Sequence, residues 1–217
     1  MVKVLAVLGD FYHSVELAKE SLENAIRSLS GLDDFQVIYC SYESLKDELS
    51  NQPDGVILFK ENRLNPSDED VKEWMTEELA YEITRYVANG GGWMAWHSGL
   101  ASYSLASSYT KMLRGAFISH PDKHQLVHYK NVLENSSITA IDSFEFMDEH
   151  YFVECDEANT NIFLLSESID GQSIAGWSHT FGDGKVCCLT PAHTKDGLLN
   201  QKFLSVLGSC INWIVSK

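Results

Sequence analysis

The chain of 217 residues is short of positive charge: 16 Lys and Arg stand against 31 Asp and Glu, a formal net charge of −15. Phosphate backbones and anionic membrane surfaces are held by clustered cations, so nucleic acid and membrane are set aside as partners. Long apolar runs are missing as well. No stretch approaches the roughly eighteen residues needed to cross a bilayer. Met1 to Leu8, followed at once by Asp10 and lacking a small-residue cleavage site, reads as a first strand and not as a secretion signal. Cys40, Cys155, Cys187, Cys188 and Cys210 are odd in number and widely spaced, which argues against a disulfide framework and for reduced, buried thiols in a cytoplasmic protein. No His-Glu-x-x-His or Cys-x-x-Cys occurs. Gly182-Asp183-Gly184-Lys185 lacks the phosphate-loop spacing, and Gly90-Gly91-Gly92 precedes a strand where a dinucleotide loop follows one, so no nucleotide cofactor is expected.

What remains is an ordinary globular composition, 44% hydrophobic and 22% charged, at a length that suits one domain over residues 1–217. Val2–Leu8 has the unbroken apolar character of a strand buried on both faces. Ser14 caps a helix with apolar positions from Val15 to Leu29, stopped by Gly31, and strands are expected at Phe35–Cys40, Gly55–Phe59 and Trp93–Trp96. Tyr42–Leu49 reads as a short helix, and Pro66 and Ser67 open a long one through Val71, Met75, Leu79, Ile83 and Val87. Strand and helix alternating in this way imply a doubly wound, mostly parallel α/β sheet, in which ligands bind beyond the carboxyl ends of the strands. After Trp96 the pattern changes to a β-rich insertion. A helix is expected over Ser102–Leu113 and a loop over Gly115–Asp122. Strands follow at Gln125–Tyr129, Phe144–Val153, Ile162–Glu167 and Ile174–Thr190, the last split by a turn at Phe181–Lys185, and a helix from Phe203 to Ile214 closes the pattern.

Seven of the eight histidines follow Gly92. His97 ends a strand in Ala95-Trp96-His97-Ser98-Gly99, where small residues two before and two after allow the sharp strand-to-helix turn of a nucleophile elbow, here with imidazole at its centre. His193 ends another strand, and His120 and the cluster Asp148-Glu149-His150-Tyr151 lie by the later strands. Imidazoles and carboxylates from several loops are the usual donors for Zn²⁺ or a similar divalent ion, with His97, His120 and His193 as the candidate ligands. Trp96 and Trp177 lie beside the candidate site, where either a core role or stacking on a sugar face is open to them.

Four blocks carry a resemblance: Gly90 to Ser98, Gly115 to Pro121, Phe146 to Tyr151, and Gly176-Trp177 through Gly184-Lys185-Val186 to His193. Together they resemble the ThuA-like (trehalose-utilisation) family. That resemblance implies a class I glutamine amidotransferase-like, flavodoxin-related fold, with His97 and His193 standing where true amidotransferases carry a catalytic Cys and His. Without a thiolate there is no acyl-enzyme route. The implied role is in carbohydrate metabolism, on trehalose-type or other keto-glycosides, with His97, Glu149 and His193 catalytic and a divalent metal polarising a sugar carbonyl. His13, Ser98, Tyr151 and Trp177 are then candidates for substrate binding, and the expected partner is a small-molecule sugar or sugar derivative. A catalytically inert sugar-binding or interaction module on the same scaffold is the alternative. Self-association as a homo-oligomer stays open.

Overall fold

The apolar run Val2–Leu8 forms strand β1, flanked on both sides by parallel partners, β2 (Phe35–Tyr39) and β3 (Gly55–Phe59). The computed structural model describes residues 1–29, 35–132, 138 and 143–216, so the proposed helix stop at Gly31 lies outside the described residues. Helix α1 (Val15–Arg27) begins where expected, with the Ser14 hydroxyl accepting from the Leu17 N–H. Short helix α2 (Leu45–Leu49) leads to β3, then α3 (Glu77–Ala88) to β4 (Gly92–Trp96), which pairs parallel to β3.

Two helices start later than the apolar spacing suggests. The segment before α3 is a loop, because the Asn65 side chain takes the Lys72 N–H at 2.6 Å and donates to the Asp70 carbonyl at 2.8 Å, while the Asn62 side chain takes the Met75 N–H. Such side-chain bonds offer the backbone an alternative to the helical ladder, and the helix opens behind a Thr76 cap and not at Pro66 and Ser67. Likewise α4 is confined to Ser108–Leu113 behind a Ser107 cap. The expected loop at Gly115–Asp122 contains β5 (Gly115–Ser119), antiparallel to β8 (Phe152–Cys155) in a two-stranded ribbon.

Strands β6 (Gln125–Asn131), β7 (Phe144–Asp148), β9 (Asn161–Ser168), β10 (Gly171–Phe181) and β11 (Gly184–Leu189) complete the main sheet. Among the described residues that sheet is nine-stranded, in the order β2-β1-β3-β4-β11-β10-β9-β6-β7. It is mixed: parallel from β2 to β11 and antiparallel from β11 to β7. Period-two alternation fills a core on each face. Met94, Trp96, Cys187 and Leu189 join the core containing α1 and the final helix α6 (Gln201–Val215), preceded by one turn, α5 (Lys195–Leu198). Trp93, Ala95, Val186 and Cys188 join the core containing α2, α3 and α4. Among the described residues no helix is long and apolar enough to cross a membrane.

Candidate metal centre

Three parallel strands end at one edge of the sheet, and each is followed by a histidine that turns toward the same point. After β1, Gly9 at φ +83° starts a tight turn that leads through Asp10 to His13; a Cβ on Gly9 would fall 2.2 Å from the Val15 side chain. After β4, His97 itself takes φ +44° and opens a short 3-10 turn, His97–Leu100. The small residue two positions on is required, because a Cβ on Gly99 would lie 2.2 Å from the Leu58 carbonyl oxygen. After β11, Ala192 at φ +134° precedes His193. Non-glycine residues in such conformations cost about 1–3 kcal/mol each and persist where the surroundings over-determine them.

The fourth member comes from the antiparallel half. The strand expected over Phe144–Val153 is broken at Glu149–Tyr151, and the break brings Glu149 to the histidines. Asp148, fully buried, anchors it: one oxygen accepts the His193 N–H at 2.7 Å and the other the Tyr129 hydroxyl at 2.7 Å. Burial pushes the Asp148 carboxyl up to about 7, against the hydrogen bonds that would lower it.

His193 Nδ1 lies 3.0 Å from His13 Nε2, 3.2 Å from His97 Nε2 and 3.2 Å from Glu149 Oε2, and the four donor atoms lie within 4.8 Å of one another. The outward nitrogens are already committed. His97 Nδ1 donates to the Thr190 carbonyl at 2.7 Å, and His13 Nδ1 donates to Asp10 Oδ1 at 2.6 Å. Both Nε2 atoms therefore face inward as lone pairs. A single N–H on His193 can satisfy only one of three acceptors, whereas a cation among them satisfies all four donors. Carboxylate or carbonyl partners on the far ring nitrogen are the usual second layer of a histidine metal site.

Electrostatics agree with that arrangement. Burial holds the His97 imidazole down to about 4, so it is neutral near pH 7. For Glu149 burial acts upward, but the His193 imidazole, its Nδ1 3.2 Å from Oε2, outweighs it and holds the carboxyl well below its ordinary range. The same contest raises His193: burial pulls down, and the Glu149 carboxylate more than compensates. Asp10 sits at about 2, where the hydrogen bonds of His13, Glu61 and Tyr12 overcome burial.

Of the expected site residues, His97, His193 and Glu149 converge, and His13 joins them as a donor atom in place of a sugar contact. His120 is not one of the four donors; its Nε2 lies 3.4 Å from the other Glu149 oxygen, while its Nδ1 donates to the Pro121 carbonyl. Tyr151 is buried and stacked on His97 with ring centres 4.2 Å apart, which fixes the imidazole plane. Ser98 is fully buried and its hydroxyl has no hydrogen-bond partner among the described residues, so it presents nothing to a ligand. Trp177 is a correction. Its ring is fully buried, with Nε1 donating to the Leu113 carbonyl, and offers no face to a sugar.

The sequence reading gave no role to Asp10, to the Thr190 carbonyl or to His124, whose ring lies 5.1 Å from that of His193. The Asp10-x-x-His13 spacing is the one signal that could have found the first. Two grooves of about 820 Å³ each open elsewhere, one at the opposite edge of the sheet beside Asp54, Tyr86 and Gly91, the other along β6, β7 and β9. Neither gathers converging lone pairs, so volume does not mark this site.

Comparison with known proteins places the chain. A ThuA-like protein from Parabacteroides merdae ATCC 43184 superposes with a TM-score of 0.73 at 12% identity, covering 99% of this chain and 90% of that one. For a ThuA-like protein from Bacteroides uniformis ATCC 8492 the values are 0.71, 16%, 100% and 92%. For a cytoplasmic protein from Salmonella typhimurium LT2 they are 0.67, 16%, 98% and 99%. At these identities the likeness shows a shared fold. No curated protein matches the chain. The family model ThuA, described as trehalose utilisation, matches residues 3–214, and the chain belongs to that family.

Proposed function

We propose that this chain is a metal-assisted enzyme of carbohydrate metabolism acting on trehalose-type or other keto-glycosides. The observation that carries the reading is the inward convergence of His13, His97, His193 and Glu149, with the outer nitrogens of His13 and His97 pinned. Three imidazoles and a carboxylate suit Zn²⁺ or a similar divalent ion. An ion held there supplies Lewis-acid polarisation of a saccharide carbonyl or hydroxyl oxygen. Asp10 and the Thr190 carbonyl keep two of the ligands turned inward. Glu149 spends one oxygen on the cluster and leaves the other facing His120, a part-exposed imidazole whose Nε2 is placed to take a proton from the saccharide and return it. The elbow carries imidazole, and Cys187, Cys188 and Cys210 are buried in the cores, so glutaminase chemistry through a thiolate is not expected.

One feature favours a second reading, a catalytically inert sugar-binding module. Four protein donors fill a tetrahedral shell, as structural zinc sites do, and catalysis needs a fifth position. Zinc-loaded protein incubated with keto-trehalose and followed by proton NMR separates the two. Conversion that disappears in Glu149→Gln and on chelation supports the enzyme. Binding without conversion overturns it in favour of the module.

A further inference from the structure

The loop that delivers His13 also holds two large rings in solvent. Phe11 is 60% and Tyr12 51% exposed, whereas His13, the next residue, is 6% exposed. Nothing about this loop is slack. Asp10 Oδ1 accepts the Tyr12 N–H at 3.0 Å as well as the His13 ring, Asp10 Oδ2 accepts the Glu61 N–H at 2.9 Å, and the Asp10 N–H donates to the His13 carbonyl at 3.2 Å. The two rings meet edge to face, with centres 4.9 Å apart and planes at 80°. A turn fixed in this way cannot fold its aromatics inward, so their apolar surface stays in water at a cost of about 25 cal/mol per Å².

We infer that Phe11 and Tyr12 form a stacking platform for a saccharide ring beside the donor cluster, an inference that rests on the carbohydrate reading above. Polar side chains reach solvent around the cluster: Glu149 and His193, 13% and 18% exposed, then His120 at 40%, and His124 beside His193. An aromatic pair together with imidazoles and a carboxylate matches a ligand that has an apolar C–H face and a rim of hydroxyls. A nucleotide, the other common ligand of exposed aromatics, brings phosphate to a chain of net charge −15 and is disfavoured. Rigid rings lose little conformational freedom when a ligand covers them, which makes them efficient binding surface.

The test uses zinc-loaded full-length protein with trehalose as the probe, and reads three quantities: trehalose Kd by calorimetry, zinc per chain, and oligomeric state by gel filtration. The double variant Phe11→Ala, Tyr12→Ala is expected to raise Kd about tenfold or more, a loss typical of truncated aromatic anchors. Zinc content and oligomeric state stay unchanged, and Tyr12→Phe retains most of the affinity. An unchanged Kd in the double variant, or a wild type that holds zinc and binds no trehalose, overturns the platform. If the variant changes its oligomeric state and not its sugar affinity, the rings are a protein contact and the inference falls. Sugar affinity that depends on both rings in protein that retains no zinc would overturn the metal reading alone and leave the platform standing.

Discussion

Two buried histidines in different regions of the molecule share almost every local property. His97, at the carboxyl edge of the parallel half, and His179, on β10 in the antiparallel half, are 0% and 3% exposed. Burial lowers each to about 4, and each gives one ring nitrogen to a backbone carbonyl, Thr190 at 2.7 Å for His97 and Met112 at 2.9 Å for His179. They differ in the second nitrogen. That of His97 meets three further donor atoms; that of His179 is buried with no hydrogen-bond partner among the described residues. Burial and a shifted titration do not make a site. Convergence of lone pairs does, and it occurs where parallel strands end together.

The comparison can be broken most directly by removing each imidazole. His97→Ala is expected to abolish zinc retention and to reduce keto-glycoside turnover by about a thousandfold. His179→Ala should leave zinc and turnover intact. If the two variants lose zinc alike, the distinction fails. Next in size is Asp10→Asn, which keeps a polar side chain but weakens the hold on His13. A 10–100-fold loss of zinc affinity by equilibrium dialysis is expected, about what loss of such an orienting partner costs, and an unchanged affinity would detach Asp10 from the site.

Acid stability sharpens the same pair. His179 has a folded value of about 4 against an ordinary 6.5, so the unfolded chain takes up the proton first. Its contribution is intact above pH 6.5 and is lost as the pH falls through 4, an effect of about 3 kcal/mol. Urea unfolding between pH 7 and pH 4 should therefore flatten in His179→Gln; an unaltered slope would contradict the assignment. The smallest effect is expected on the surface. His128 and Glu145 pair at 2.5 Å with both side chains 56% exposed, and His128→Ala should change stability by less than about 0.5 kcal/mol and leave zinc unaffected.

Much of the architecture was legible because it rests on patterns that burial enforces. The unbroken apolar runs of β1, β3 and β4 lie where the spacing puts them, and the small residues around His97 mark its turn because Gly99 touches the Leu58 carbonyl. His97 and His193 could be paired from sequence since both follow strands that run the same way. What could not be read depends on contacts far apart in the chain. The late start of α3 is decided by the Asn62 and Asn65 side chains, which override an apolar spacing that Val71 and Met75 continue. Trp177 was drawn toward the site by its closeness in sequence to the edge of the sheet. Its register with Cys188 turns it to the opposite core face. Glu149 and His150 are neighbours in one strand break and diverge, Glu149 to the histidines and His150 to the Ser166 and Ser168 hydroxyls at 2.9 and 2.8 Å. No local pattern separates them.

The central claim is that His13, His97, His193 and Glu149 hold one divalent ion, and X-ray absorption at the zinc edge of the loaded protein tests it most directly. The account predicts one tightly held zinc per chain, a nitrogen and oxygen shell at about 2.0–2.1 Å, and outer-shell scattering from three imidazoles. Zinc lost on gel filtration, or a spectrum without that imidazole scattering, would contradict it.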